Sequence, residues 1–199
     1  MLADAVARGR DDPRLLLTWG CVALRRGDAG AATLRLERAR AVMPATPPAT
    51  WYWAMARAVG ARGDVEAAIR LAREALEAWP GHAVLRNTLA VLLEAAGEVE
   101  ESERLLRDAL QDEPSMPQIS KNLGDLCYRS GRFDEAAEFY ERAAKLAPDL
   151  GDDLWFKLGN LALKRHDQER ARTCWARTVE LNPGHQLAKA NLGSLGTGA

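Results

Sequence analysis

The side chains best suited to chemistry in this sequence fall in two short clusters, Lys121, Asn122, Asp125 and Tyr128, and then Phe156, Lys157, Asn160 and Lys164. That chemistry is recognition. An Asn amide offers a donor and an acceptor together, so it pairs with a peptide backbone whatever side chains the backbone carries. A lysine ammonium adds a charge-assisted bond to a carboxylate. The groups that would break bonds are not arranged to do so. His82 and His185 each follow Pro-Gly, where they read as helix-start residues, and His166 stands in a turn. No nucleophile–His–acid set, phosphate-cradling glycine loop or metal-ligand spacing appears. The pattern points to binding, with no catalytic residue, cofactor or metal.

Such clusters need a frame, and residues 117–150, PQISKNLGDLCYRSGRFDEAAEFYERAAKLAPDL, spell one. Leu123-Gly124 lies in an amphipathic run that Gly131 breaks. Ala136, Tyr140 and Ala143 then fall at i, i+4 and i+7 on one face of a second helix, and Pro148 closes the unit. The same closing proline recurs at Pro44, Pro80, Pro114, Pro148 and Pro183, with intervals of 36, 34, 34 and 35 residues. A helix–turn–helix of that period is the signature of a stacked helical array.

Composition agrees. The chain is 47% hydrophobic but only 6% aromatic, and strong helix formers dominate over β-branched runs, so the expected fold is all-α. A net charge of −1 and a pI near 6.3 give no pull toward nucleic acid. The acids between Glu94 and Glu113 read as the solvated outer face of a second helix. The longest apolar run, Leu15 to Leu24, is about half of what a membrane span requires, so no membrane insertion is expected. Cys21, Cys127 and Cys174 are odd in number and scattered, as reduced thiols in a cytoplasmic protein are. Cys21 is reactive only if exposed and lowered in pKa.

The expected divisions are an N-terminal helix or remnant of a preceding repeat over 1–12, repeats over 13–48, 49–82, 83–116, 117–151 and 152–185, and a capping helix with tail over 186–199. Asp12-Pro13 supplies the first cap. The turns are Gly27-Asp28, Gly63-Asp64, Gly97-Glu98, Gly131-Arg132 and His166-Asp167. Small residues form two rows, Gly20, Ala56, Ala90, Gly124, Gly159 and Gly193 on first helices and Ala32, Ala68, Ser102, Ala136 and Ala171 on second helices. Small side chains let paired helices approach to the short end of the ~8–10 Å range. Trp19, Tyr52, Trp155 and Trp175 fall at positions expected to pack in the core.

The order Trp155-x2-Leu158-Gly159-x2-Ala162, Ala171-x3-Trp175, Pro183 resembles the tetratricopeptide repeat signature. The likeness covers residues 13 to 185 in five tandem copies, with the last helix similar to the family's C-terminal capping helix. It implies a right-handed superhelical α-solenoid of antiparallel helix pairs, whose first helices line a concave groove that holds a peptide or helix of a partner. In this register the groove positions are Leu17, Thr18, Cys21, Trp53, Ala54, Arg57, Val84, Asn87, Thr88, Val91, Glu94, Gln118, Lys121, Asn122, Asp125, Tyr128, Arg129, Asp153, Phe156, Lys157, Asn160, Leu163, Lys164 and Asn191. Asn122 and Asn191 stand immediately before Leu-Gly, where peptide-gripping family members place an Asn. Asp125 takes the place of the Asn that the family's carboxylate clamp sets beside its lysine.

The family implies a protein-interaction module, an adaptor or scaffold, and names no partner. Two alternatives accompany it. One is a regulatory or targeting arm of a larger bacterial enzyme or signalling protein. The other is a self-assembling scaffold, a homo-oligomer docking through the apolar N-terminal positions Leu17, Cys21, Trp53, Val84 and Val91.

Overall fold

The computed structural model describes residues 12–196, and over these the chain is helical, with eleven helices and no strand among the described residues. The helix or remnant expected before residue 12 and the tail after Gly196 lie outside the described residues. The chain divides into two compact units, one ending at Asp112 and the other beginning at Glu113. No helix among the described residues is long and apolar enough to cross a membrane.

In the first unit the helices are α1 (Pro13–Arg25), α2 (Ala29–Val42), α3 (Ala49–Ala61), α4 (Val65–Ala78), α5 (Ala83–Ala95) and α6 (Val99–Asp112). They pair as α1 with α2, α3 with α4 and α5 with α6, and successive pairs join through α2 on α3 and α4 on α5. The second unit contains α7 (Pro117–Arg129), α8 (Phe133–Leu146), α9 (Asp152–Lys164), α10 (Gln168–Leu181) and α11 (Gln186–Gly196). Here α7 pairs with α8 and α9 with α10, while α8 packs on α9 and α10 on α11.

Local sequence dictates where each helix begins. The Asp12 carboxylate accepts from the amides of Arg14 (2.7 Å) and Leu15 (3.4 Å). Asp28, Asp64 and Asp167 do the same for Ala31, Ala67 and Arg170 at 2.8, 3.0 and 3.0 Å. Each such cap satisfies an amide that the helix itself leaves unbonded. The turn before Asp28, Asp64 and Asp167 requires a left-handed residue. Gly63 supplies it at φ 95°, whereas His166 adopts φ 59° with a full side chain in place.

Packing between paired helices rests on size complementarity sixteen residues apart. Gly20 sits against Leu36, Gly124 against Tyr140 and Gly159 against Trp175, with a hypothetical Cβ landing 2.8, 2.6 and 2.5 Å from the larger partner. Leu36, Tyr140 and Trp175 are 0%, 0% and 1% exposed. Burial of side chains this large stabilises by about 1.5–3 kcal/mol each. The second-helix row is equally tight: Ala32, Ala68, Ser102, Ala136 and Ala171 are all fully buried, and Ser102 Oγ donates to the Ala90 carbonyl at 2.7 Å.

Two aromatic expectations need correction. Trp19 is not in the core: it is 44% exposed, because no helix among the described residues covers the side of α1 opposite α3. Trp155 is half-buried at a joint, its Nε1 donating to the Pro148 carbonyl at 2.7 Å. Tyr52 and Trp175 are buried as expected. The acids of α6 are exposed or partly exposed and are threaded by arginines, with Arg73 3.2 Å from Glu101 and Arg107 2.7 Å from Glu103. That is a solvated face.

Candidate functional site

On α1, α7 and α9 the small residue, Gly20, Gly124 or Gly159, is turned toward the paired helix. In the second unit a charge cluster is spread over α7, α8 and α9. Along α7 the order is Lys121 then Asp125; along α9 it is Asp153 then Lys157. The reversed order lets each lysine reach a carboxylate on both helices. Lys121 Nζ lies 2.9 Å from Asp125 Oδ2 and 2.8 Å from Asp153 Oδ2. Lys157 Nζ bonds Asp125 Oδ1 and stands 3.7 Å from Asp153. The Tyr140 hydroxyl, arriving from α8, donates to Asp125 Oδ1 at 2.7 Å.

Asp125 is thus the centre, 9% exposed and surrounded by three donors. Burial pushes its carboxyl up, but the bonds from Lys157, Lys121 and Tyr140 outweigh that and hold it below the ordinary aspartate range. Burial likewise opposes the charge on Lys121, and the bonds to Asp153 and Asp125 more than restore it. The Tyr140 hydroxyl is pushed far up by burial and by the Asp125 charge, so it remains a donor at any working pH. Two ammonium groups face two carboxylates, and the cluster is formally neutral. A ligand carboxylate approaching these lysines meets groups already occupied.

Aromatic and amide groups make further contacts in the second unit. Tyr128 meets Phe133 edge-on with ring centroids 5.6 Å apart, and Lys164 Nζ lies 4.4 Å above Phe133. Phe156 stacks on His185 at 4.6 Å, while His185 Nδ1 accepts from the Ala188 amide. Asn160 Oδ1 accepts from Trp175 Nε1 at 3.1 Å, which fixes the amide and leaves its NH2 pointing the other way. Lys121, Asn122, Tyr128, Phe156, Lys157, Asn160 and Asn191 are all partly buried, whereas Lys164 and Leu163 are exposed.

The remaining sequence-derived positions belong to the first unit. Trp53 is partly buried and the Arg57 guanidinium lies 5.2 Å from its ring centroid, a cation–π pair on α3. Asn87 on α5 is partly buried. Ala54 and Thr88, read as groove-facing, are buried at 0% and 5%, since α1, α3 and α5 pack on one another along that edge; Thr88 turns its hydroxyl back to the Val84 carbonyl at 2.7 Å. Cys21 is half-buried and burial pushes its thiol up, the reverse of what a reactive thiolate requires.

Sequence reasoning missed three contributors. Tyr140 was read as packing alone, although its position over Gly124 sets its hydroxyl beside Asp125. Phe133 was not singled out and His185 was read only as a helix-start residue, because both stand at helix starts, outside the periodic face.

The tetratricopeptide repeat family model matches residues 17–83, 53–103 and 87–150. No curated protein sequence matches the chain. Solved structures do. A thermophilic tetratricopeptide-repeat protein of Thermus thermophilus is 19% identical with a TM-score of 0.76, the alignment covering 92% of this chain and 98% of that one. PilF of Pseudomonas aeruginosa is 20% identical at a TM-score of 0.77, covering 94% and 90%. MamA of Desulfovibrio magneticus is 17% identical at 0.63, covering 87% and 96%. At such identities the likeness shows the fold. Helical hairpins, small-residue rows and family match together establish that the chain belongs to the tetratricopeptide repeat family.

Proposed function

We propose that this interaction module holds a segment of a partner protein against α7, α9 and α11 of its second unit. The observation that carries the reading is burial. Long polar and aromatic side chains of α7, α9 and α11, Lys121, Asn122, Tyr128, Lys157 and Asn191, are partly covered, while second-helix residues such as Arg70 and Glu66 are 71% and 92% exposed in their side chains. A face that is neither core nor fully solvated suits a ligand that removes the remaining water.

The ligand is a neutral or mixed-charge peptide segment. Lys121 and Lys157 are already bound to Asp125 and Asp153, so the cluster offers no bare cation to a carboxylate. What the second unit offers is the amide of Asn191 for a backbone, and the ring pairs Tyr128–Phe133 and Phe156–His185 for apolar side chains. The reading is binding without catalysis, in a reducing cytoplasmic compartment that suits three free thiols. The test is selection of a random displayed-peptide library on the full chain, with an Asn191→Ala/Tyr128→Ala variant as comparison. Enriched peptides that bind the native chain and lose affinity for the variant support it. Enrichment that is identical on both contradicts it.

A further inference from the structure

A second surface lies on α1, on the side of the helix opposite α3, and the chain contains a template for what fits it. Leu15, Trp19 and Val22 form a stripe at i, i+4 and i+7 on α1. The corresponding residues of α9 are Leu154, Leu158 and Leu161, which are 0%, 4% and 2% exposed and pack in one cluster with Ala137 and Ala144 of α8. On α1 the stripe is open, with Leu15 at 42% and Trp19 at 44%.

The surrounding clefts correspond residue for residue. Trp19, Val22, Ala23, Arg26 and Asp28 line a cleft of about 520 Å³ together with Arg35. Their counterparts Leu158, Leu161, Ala162, Arg165 and Asp167 line one of about 210 Å³, whose far wall is Ala137 and Glu141 of α8. There Arg165 bonds Asp134 at 2.6 Å and Arg170 bonds Glu141 at 2.6 Å. At the α1 cleft Arg26 stands in for Arg165, and Arg35, one turn along α2, takes the part of Arg170. Asp28 is committed to the Ala31 amide, as Asp167 is to that of Arg170. Among the described residues the α1 cleft is the α8–α9 joint with no counterpart of the α8 wall and both cations kept.

We propose that this cleft docks an acidic amphipathic helix of a partner protein, presenting acids at i and i+7 and a small residue at i+3, as α8 does with Asp134, Glu141 and Ala137. A second copy of this chain does not qualify through α8, which is already buried in its own joint. The apolar seam fits Leu15, Trp19 and Val22, and the acids fit Arg26 and Arg35.

The probe is a labelled 14-residue peptide with the α8 sequence, Phe133 to Leu146, held helical by a staple replacing Glu138 and Arg142, which are exposed in α8. Fluorescence anisotropy against the full chain should give saturable binding. Trp19→Ala and Arg26→Glu should each weaken it about tenfold, the size expected for one well-placed contact. A peptide carrying Asp134→Lys and Glu141→Lys should bind the Arg26→Glu/Arg35→Glu chain better than the native one. Trp19, Arg26 and Arg35 lie on the surface or partly so, and unchanged thermal melts of the variants establish that they fold. Absence of saturable binding, or equal binding by the charge-swapped peptide, overturns the proposal. So does self-association of the full chain that Trp19→Ala abolishes, which assigns the cleft to a second copy.

Discussion

Gly124 lies beneath the ring of Tyr140, so close that a methyl group on its Cα would stand 2.6 Å from both Cδ1 and Cε1. The ring is fully buried and its hydroxyl is tied to Asp125, so it has nowhere to retreat. Gly124→Ala gains up to about 1 kcal/mol of helix propensity but overpacks the contact, which costs about 1–3 kcal/mol. Denaturant unfolding should show a net loss. Gly193, at the same repeat position, has nothing within 4 Å of its Cβ site, and Gly193→Ala should be neutral or stabilising by up to about 1 kcal/mol. Equal effects at the two sites would contradict the packing account.

The Asp125 cluster gives stability a pH dependence. Its folded-state pKa is depressed, so its contribution is complete above the ordinary aspartate value of about 4 and is lost as pH falls below it. Asp125→Asn should cost about 1–3 kcal/mol at pH 7, since two lysines and a tyrosine lose a buried charged acceptor. The gap between native and variant should narrow as unfolding is repeated from pH 5 down to pH 3. A gap independent of pH would mean that Asp125 acts only through its shape.

The frame was legible in the sequence because its rules are local. Asp12, Asp28, Asp64 and Asp167 announce helix starts by type, and Gly124 and Tyr140 are found by spacing. Register placed Lys121 and Lys157 on successive first helices, and the structure brings both to Asp125 and Asp153. Those partners were not legible. Whether Lys121 waits for a ligand or holds Asp153 depends on the distance between α7 and α9, which no single-helix pattern encodes. Trp19 was misread for a related reason. Its spacing is that of a core residue, but periodicity does not reveal whether a neighbouring helix is present to cover it.

His166 holds a left-handed backbone at φ 59°, a conformation that costs a residue with a Cβ about 1–2 kcal/mol. His166→Gly should recover about 1 kcal/mol of it, offset in part by the greater freedom of glycine in the unfolded chain. The reverse change, Gly63→Ala at φ 95°, should lower stability by a similar or larger amount. Thermal melts of the two variants decide the matter, and a melt raised by Gly63→Ala would contradict the strain argument.

Thiol labelling tests burial directly. Cys127 and Cys174 are buried and Cys21 is half-buried with a raised pKa. A chromogenic disulfide reagent at pH 8 should modify Cys21 alone in the native protein, more slowly than free cysteine, and faster as pH rises. All three should react in denaturant. Rapid native labelling of a second thiol would show that one of the joints opens.

The central claim is that the face of α7, α9 and α11 that carries Tyr128, Lys157 and Asn191 is the binding surface, and amide chemical-shift mapping with a library-selected peptide tests it most directly. Shifts should concentrate at Asn122, Tyr128, Lys157 and Asn191, with the outward residues of α8 and α10 unmoved. Shifts confined to those outward residues, with the Asp125 cluster and Asn191 silent, would contradict it.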